Sequence, residues 1–224
     1  MTINYNPSII TSGLVMCLDA KNPRSYPGSG SVWYDASGNG YNCVFGSTPT
    51  WNSSGWFTFN GSSNYGTITN SPTINWASAQ TVLIVMNHTN TDNRRNVWNQ
   101  AYGGYGTWTH EGGNYFNYYY GNAGADTTPY TALTGGSTPT NTWYSMCITR
   151  STSTVTWYQN TTVQSSMGNP YGTLANTTAN ITIGLGYTGV YWAGNISMIL
   201  AYTRTLSSDE VEQNFNALRG RYNI

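Results

Sequence analysis

Turn-forming clusters of Gly, Asn, Ser and Pro interrupt this chain roughly every 8 to 15 residues, and short runs rich in β-branched and aromatic residues lie between them. That spacing leaves little room for helices of ordinary length and suits strands. The runs are Gly13–Ala20, Tyr41–Phe45, Trp56–Asn60, Tyr65–Ile68, Thr81–Asn87, Asn96–Asn99, Gly106–His110, Tyr115–Tyr119, Trp143–Arg150, Thr154–Asn160, Ile181–Leu185 and Gly194–Tyr202. A dozen strands in 224 residues is a two-sheet sandwich count. In Thr154–Asn160, Val155 and Trp157 alternate with Thr154, Thr156 and Tyr158, as a half-buried strand requires. Val82–Met86 is apolar throughout and reads as a central strand covered on both faces.

One helix is legible, at 207–219. Ser207 and Glu210 form a capping box, and Val211, Phe215 and Leu218 make one apolar stripe. Arg219 suits the last turn and Gly220 the left-handed position just past it. Residues 1–12 read as an N-terminal arm, and the whole of 1–224 as one domain.

Charged residues make up 7% of the chain, against roughly 25% in a typical soluble domain. Eight Lys and Arg balance eight Asp and Glu, so no basic field exists to hold nucleic acid or anionic lipid. No stretch reaches the length of a membrane span, and no membrane partner is expected. Disorder is excluded by the aromatics, which are 15% of residues. A neutral surface rich in amides and tyrosines is suited to association, with protein neighbours or with a neutral glycan. The residues Met1 to Pro7 show no secretory pattern, and three cysteines, Cys17, Cys43 and Cys147, are an odd number. Both points argue for reduced thiols acting as small core hydrophobes, with a Cys17–Cys43 bridge as the minority reading.

The opening Gly13-Leu14-Val15-Met16-Cys17-Leu18-Asp19-Ala20 and the turn Asp35-Ala36-Ser37-Gly38-Asn39-Gly40 form a pattern with three later segments. These are Phe57-Thr58-Phe59-Asn60-Gly61 through Tyr65, Asn141-Thr142-Trp143-Tyr144-Ser145-Met146, and Gly194-Asn195-Ile196-Ser197 through Tyr202-Thr203-Arg204-Thr205-Leu206-Ser207. In that order they resemble laminin-G-like, concanavalin A-like domains. The resemblance implies an all-β fold: a two-sheet antiparallel jelly-roll sandwich, concanavalin A-like, with one short C-terminal helix. The ending from Leu206 to Tyr222 is similar to laminin-G-like proteins predicted in tailed bacteriophages, notably those of cyanobacteria. It implies a place on the virion surface.

Glycosidases of this kind of sandwich carry two strand-borne carboxylates, and this chain has no such cluster. Glu111 is the only acid near a suitable strand. His110 beside Glu111, with Tyr115 and Tyr118 nearby, is the best lyase-like grouping, but a polar loop at a strand end is the preferred account, since the Arg, Gln and Lys residues of alginate-lyase-like motifs are not beside it. His88, after an apolar strand, reads as a surface hydrogen-bonding group. Asp35 and Asn39 could contribute to a calcium site, but a turn fixed by its own side-chain hydrogen bonds is the preferred account.

Aromatics are the strongest positive feature. Tyr102, Tyr105, Trp108 and Tyr118 in one cluster, and Tyr187, Tyr191 and Trp192 in another, are the candidate contacts for a glycan or a protein. About half of such side chains must fill the core whatever else they do. The expectation is therefore a non-enzymatic virion surface protein, a capsid decoration or cement protein bound to other virion proteins such as the major capsid protein, without metal or cofactor. The alternative is a carbohydrate-binding module or the receptor-binding lectin of a tail fibre, and a weaker alternative is a polysaccharide lyase. A homo-oligomer is compatible with each. Two ionisable side chains converging within hydrogen-bond reach in a sugar-sized groove would overturn the proposition that the acids are too few and scattered for bond-breaking work.

Overall fold

A computed structural model describes residues 7–71, 74–89, 94–187, 189–222 and 224. In chain order the strands are β1 (Leu14–Asp19), β2 (Val32–Trp33), β3 (Cys43–Ser47), β4 (Thr50–Asn52), β5 (Trp56–Asn60), β6 (Tyr65–Ile68), β7 (Gln80–His88) and β8 (Arg95–Gln100). After a wide turn at Ala101–Tyr105 come β9 (Gly106–Glu111), β10 (Tyr115–Gly121), β11 (Tyr130–Ser137), β12 (Tyr144–Arg150), β13 (Thr154–Gln159), β14 (Thr162–Gly168), β15 (Ile181–Ile183) and β16 (Ala193–Tyr202). The helix α1 (Ser208–Tyr222) closes the chain.

The strands form two antiparallel sheets. One runs β14-β13-β12-β7-β16-β5-β4, with β1 also paired to β16, and is called the back sheet below. The other, the front sheet, runs β11-β10-β9-β8-β15-β6-β3-β2. Every expected run lies in or overlaps a strand, and the fold is the expected sandwich. The Asn-Gly turns are real turns, with φ of +81° at Gly40 and +72° at Gly61.

Burial has two compartments because β7 is covered on both faces. Val82, Ile84 and Met86 join the main core between the sheets, with Trp33, Trp76, Trp98, Trp108, Trp157 and Trp192. Leu83 and Val85 face the other way, into a second core with Cys17, Cys147, Met198 and Leu200 of the back sheet and Val211 and Leu218 of α1. The helix thus seals the outer face of the back sheet. Ile9 and Ile10 of the arm pack against the same cluster, and the Ile10 amide donates to Asn214 Oδ1 at 2.8 Å. The rest of the arm, residues 1–6, lies outside the described residues. All three thiols are buried and unbridged. Burial, followed by the charges of Asp19 and Asp35, pushes the Cys17 thiol up to about 12.

The capping box forms as expected. The Glu210 amide donates to Ser207 Oγ at 3.3 Å, and the Ser207 amide donates to Glu210 Oε2 at 2.9 Å. The far end differs from expectation, since Gly220 continues the helix to Tyr222. Tertiary contacts extend it: Arg221 makes a two-pronged ion pair with buried Asp19 at 2.8 and 2.9 Å, and Tyr222 stacks on Trp143 at 5.7 Å. These contacts outweigh the preference of glycine for ending a helix.

Two buried polar groups tie the sheets together. Arg150, at the end of β12, has no exposed surface; it donates to the carbonyls of Trp76 and Ala77 and, at 3.3 Å, to Tyr118 Oη. His88 is equally buried, which corrects its assignment to the surface. Its position at the end of β7 faces the main core, where its Nδ1 lies 2.6 Å from Tyr144 Oη and its ring 4.8 Å from His110. Burial, then the neighbouring His110, lowers the His88 pKa from 6.5 to about 4. The unfolded chain therefore takes up the proton first as the solution acidifies. Stability present in full above pH 6.5 should fall as pH drops toward 4, by on the order of 3 kcal/mol from this group. Urea unfolding measured between pH 7 and pH 4 should show that slope, and His88→Gln should flatten it.

Candidate functional site

Period-two alternation sorts the residues of the front sheet. On β9, Trp108 and His110 point into the core, and Thr107, Thr109 and Glu111 point out. On β10, Phe116, Tyr118 and Tyr120 point in, so Asn117 and Tyr119 face out, opposite Thr109 and Thr107 respectively. A bulge in β8 between Asn96 and Trp98 keeps Asn96 and Asn99 on the outer face, where they oppose Thr109 and Thr107. The result is a polar outer floor. It contrasts with the back sheet, whose outer face is apolar and covered.

Above this floor lies a groove of about 270 Å³, near the lower end of ligand-pocket sizes, roughly 300 Å³. Thr107, Thr109, Asn96 and Glu111 form its base, and all four are buried. Tyrosines make its wall. Tyr187 packs edge-on to Tyr102 at 5.6 Å, Tyr102 to Tyr130 at 5.0 Å, and Tyr130 to Tyr119 at 6.0 Å. The arc is open to solvent at one end, where Tyr187 is 62% and Tyr130 44% exposed. Arg94 is exposed at the rim.

Local hydrogen bonds fix the arc and the floor. The Tyr102 amide donates to Asp126 Oδ1 at 2.8 Å, which anchors the turn at Ala101–Tyr105 to the loop before β11. Burial raises the pKa of Asp126. Asn96 Nδ2 donates to Thr109 Oγ1 at 2.7 Å, and Thr107 donates to Asn99 Oδ1. At the closed end, Asn117 Nδ2 donates to Tyr119 Oη at 3.1 Å, and Tyr119 donates its proton to Glu111 Oε1 at 2.9 Å. Burial, and with it the charge of Glu111, holds the Tyr119 phenol above its usual range.

The structure divides the sequence candidates. Tyr102 and Tyr187 line the groove. Tyr105, Trp108, Tyr118 and Trp192 are core residues with almost no exposed surface, so they have no face to offer a ligand. Trp108 packs against Trp157 at 5.2 Å and Trp192 against Phe59 at 6.0 Å. Tyr191 is partly buried against Tyr65, 6.2 Å away, outside the groove. The lyase-like grouping is split, because His110 and Tyr118 point inward while Glu111 points outward. Asp35 is spent as a turn fastener: its carboxylate accepts from the amides of Cys17, Ser37 and Tyr41 and from the Ser37 hydroxyl.

The sequence singles out Glu111 for chemistry; Tyr119, Tyr130 and the other floor residues, Asn96, Thr107 and Thr109, are not among its candidates. Inward Trp108 implies outward Thr107, Thr109 and Glu111, so alternation was the signal for the floor. Tyr130 had no such signal, since its strand is polar and glycine-rich. Glu111 and Tyr119 are an ionisable pair within hydrogen-bond reach in a groove of sugar size, so the expectation that scattered acids by themselves exclude chemistry does not hold, and the roles of these two groups decide the matter.

The family described as the concanavalin A-like lectin/glucanases superfamily matches residues 60–212. No curated protein matches the sequence closely enough to count as a relative. Among solved structures, the receptor-binding domain of the botulinum neurotoxin C/D mosaic serotype is similar, with a TM-score of 0.72, 14% identity, and 92% of this chain matched to 51% of that one. A botulinum neurotoxin type C structure, described by cell entry dependent upon interaction with two ganglioside molecules, has a TM-score of 0.69 and 13% identity over 93% of this chain and 52% of that one. Trypanosoma rangeli sialidase in complex with sialic acid has a TM-score of 0.69 and 15% identity over 97% of this chain and 35% of that one. The chain thus spans about half the length of the neurotoxin structures and about a third of the sialidase, and at these identities the likeness is one of fold.

Burial separates the two classes of aromatic in a measurable way. Trp108→Ala should lower unfolding free energy by about 3–5 kcal/mol, as expected for an emptied aromatic site. Tyr187→Ala should stay within about 0.5 kcal/mol, as expected for an exposed side chain. Urea denaturation followed by tryptophan fluorescence or circular dichroism checks both.

Proposed function

Because the chain belongs to the concanavalin A-like lectin/glucanase superfamily, we propose that it is a glycan-binding domain that holds a saccharide along the Tyr187–Tyr102–Tyr130–Tyr119 arc and does not cleave it. The observation that carries this reading is the pairing of a tyrosine wall with a hydroxyl, amide and carboxylate floor in one groove. Sugar rings present C–H faces to aromatic side chains and hydroxyls to polar ones, and this groove supplies both. Fold neighbours whose descriptions name gangliosides and sialic acid agree with a saccharide ligand.

The Glu111–Tyr119 pair acts in binding. A phenol whose pKa is raised keeps its proton at neutral pH and is a poor base or nucleophile, and here the hydroxyl is already engaged as a hydrogen-bond donor to Glu111. Glu111 is the only carboxylate lining the groove among the described residues, whereas two-carboxylate hydrolysis needs a pair.

A second reading concerns where the domain works. The Leu206–Tyr222 ending, with its likeness to tailed-phage proteins, and the low overall charge favour a protein of the virion surface that decorates or cements a capsid. Exposed Tyr34, Val44 and Val163 are available for protein contacts, and the groove remains free for a glycan. Mass spectrometry of purified particles should recover the chain in stoichiometric amounts; its absence from them would remove this reading and leave the glycan reading standing.

Tyr187→Ala and Tyr130→Ala should each weaken glycan binding about tenfold, the equivalent of roughly 1.4 kcal/mol of stacking and burial. A glycan array followed by calorimetry on the strongest hit measures this. Flat responses across a broad array, or affinities unchanged in both variants, would refute the glycan reading. Incubation with uronate polymers should release no unsaturated product absorbing in the ultraviolet.

A further inference from the structure

The floor of the groove has a one-sided hydrogen-bonding character at its closed end. Asn117 donates to Tyr119, so the Tyr119 proton goes to Glu111, and the three side chains form a chain of donors ending on a carboxylate. Glu111 is only 8% exposed, and among the described residues Tyr119 is the one side chain that hydrogen-bonds it. Among the described residues, ion pairs join Arg204 to Glu210 and Arg221 to Asp19, and Glu111 belongs to neither. An ionised carboxylate has about four acceptor sites, so most of its capacity is unspent. Beside it, Asn117 Oδ1 is buried with no hydrogen-bond partner among the described residues. Asn117 stands opposite Thr109 in the register, on the same face as the groove base. Asn117 lies behind the lining residues, so the acceptor that a ligand in the groove can reach is Glu111.

We propose that this acceptor floor makes the groove selective for uncharged sugars: Glu111, positioned by Tyr119 and through it by Asn117, accepts from sugar hydroxyls, and the same carboxylate turns away uronic and sialic acids. The inference rests on the glycan reading above and adds the charge class of the ligand. A hydroxyl can donate to a carboxylate in a short, charge-assisted bond. A sugar carboxylate offers only acceptors, and would meet Glu111 as a like charge in a poorly hydrated site. Arg94 also lines the groove and its charge reaches Tyr119, but its side chain is exposed and its attraction for an acid is weakened by solvent, whereas Glu111 is buried.

The full chain is titrated calorimetrically with cellohexaose, mannohexaose and galactohexaose, and in parallel with oligogalacturonate, oligomannuronate and sialyllactose. At least one neutral oligomer should bind, with every acidic one at least about tenfold weaker. Glu111→Gln keeps the shape of the side chain and removes its charge; it should weaken neutral binding about tenfold, the loss of a hydrogen bond to a charged acceptor, and narrow the neutral-to-acidic ratio. Tyr119→Phe should move the same ratio in the same direction by less, which a purely structural role of the hydroxyl would not do. Tyr187→Ala should weaken all sugars in parallel and leave the ratio fixed. Acidic oligomers bound as well as neutral ones, or a ratio unmoved by Glu111→Gln, would overturn the selectivity and leave the glycan reading intact. Binding of none of the six probes by the unmodified protein would overturn both.

Discussion

Strand alternation along β9 and β10 is the constraint on which the rest of this molecule depends. Each strand carries one apolar and one polar series, and a shift of one residue would exchange them. Trp108, Phe116, Tyr118 and Tyr120 on the inside give the main core much of its aromatic volume, and on the outside Thr107, Thr109 and Glu111 give the groove its floor and Tyr119 part of its wall. Core and site are therefore two faces of the same strands, and the packing that stabilises the fold also sets the register of the polar groups. The back sheet solves the opposite problem. Its outer face is apolar, and α1 with the arm at Ile9 and Ile10 covers it. One sheet is capped so that the other can stay open.

Much of this architecture was legible from periodicity because the central strands are strongly patterned. Val82–Met86, the middle of β7, is apolar throughout and is buried on both faces, as its composition demanded. Four strands had no such signature. β11 and β14 are edge strands in which small and polar residues dominate, and most of their side chains are at least partly exposed. β2 and β4 are two and three residues long, too short for any alternation to register. In each case pairing with a neighbour, a property of the fold, determines the strand. The helix end shows the same division: the capping box is local and was readable, while its continuation through Gly220 depends on Asp19 and Trp143, far away in sequence.

The site was legible as a composition and not as a constellation. A segment dense in tyrosine pointed to the correct region, and Tyr102 and Tyr187 are in the arc. Assigning individual rings needed the direction of each side chain, and tryptophan proved the better core former: Trp108 and Trp192 are interior. The arc itself joins a turn, an edge strand and the loop before β16, segments brought together only by the sheet order. Glu111 drew attention as a lone acid, yet its meaning comes from Tyr119 and Asn117 on the neighbouring strand.

Arg150 carries a further consequence. Its guanidinium is chelated by the peptide oxygens of Trp76 and Ala77 and by a phenol, with no surface in contact with solvent. Dissolved ions shield charges at a surface and scarcely reach one sealed in an interior. This clasp between β12 and the segment leading into β7 should hold as firmly in brine as in dilute buffer, an advantage for a domain in which only 7% of residues are charged.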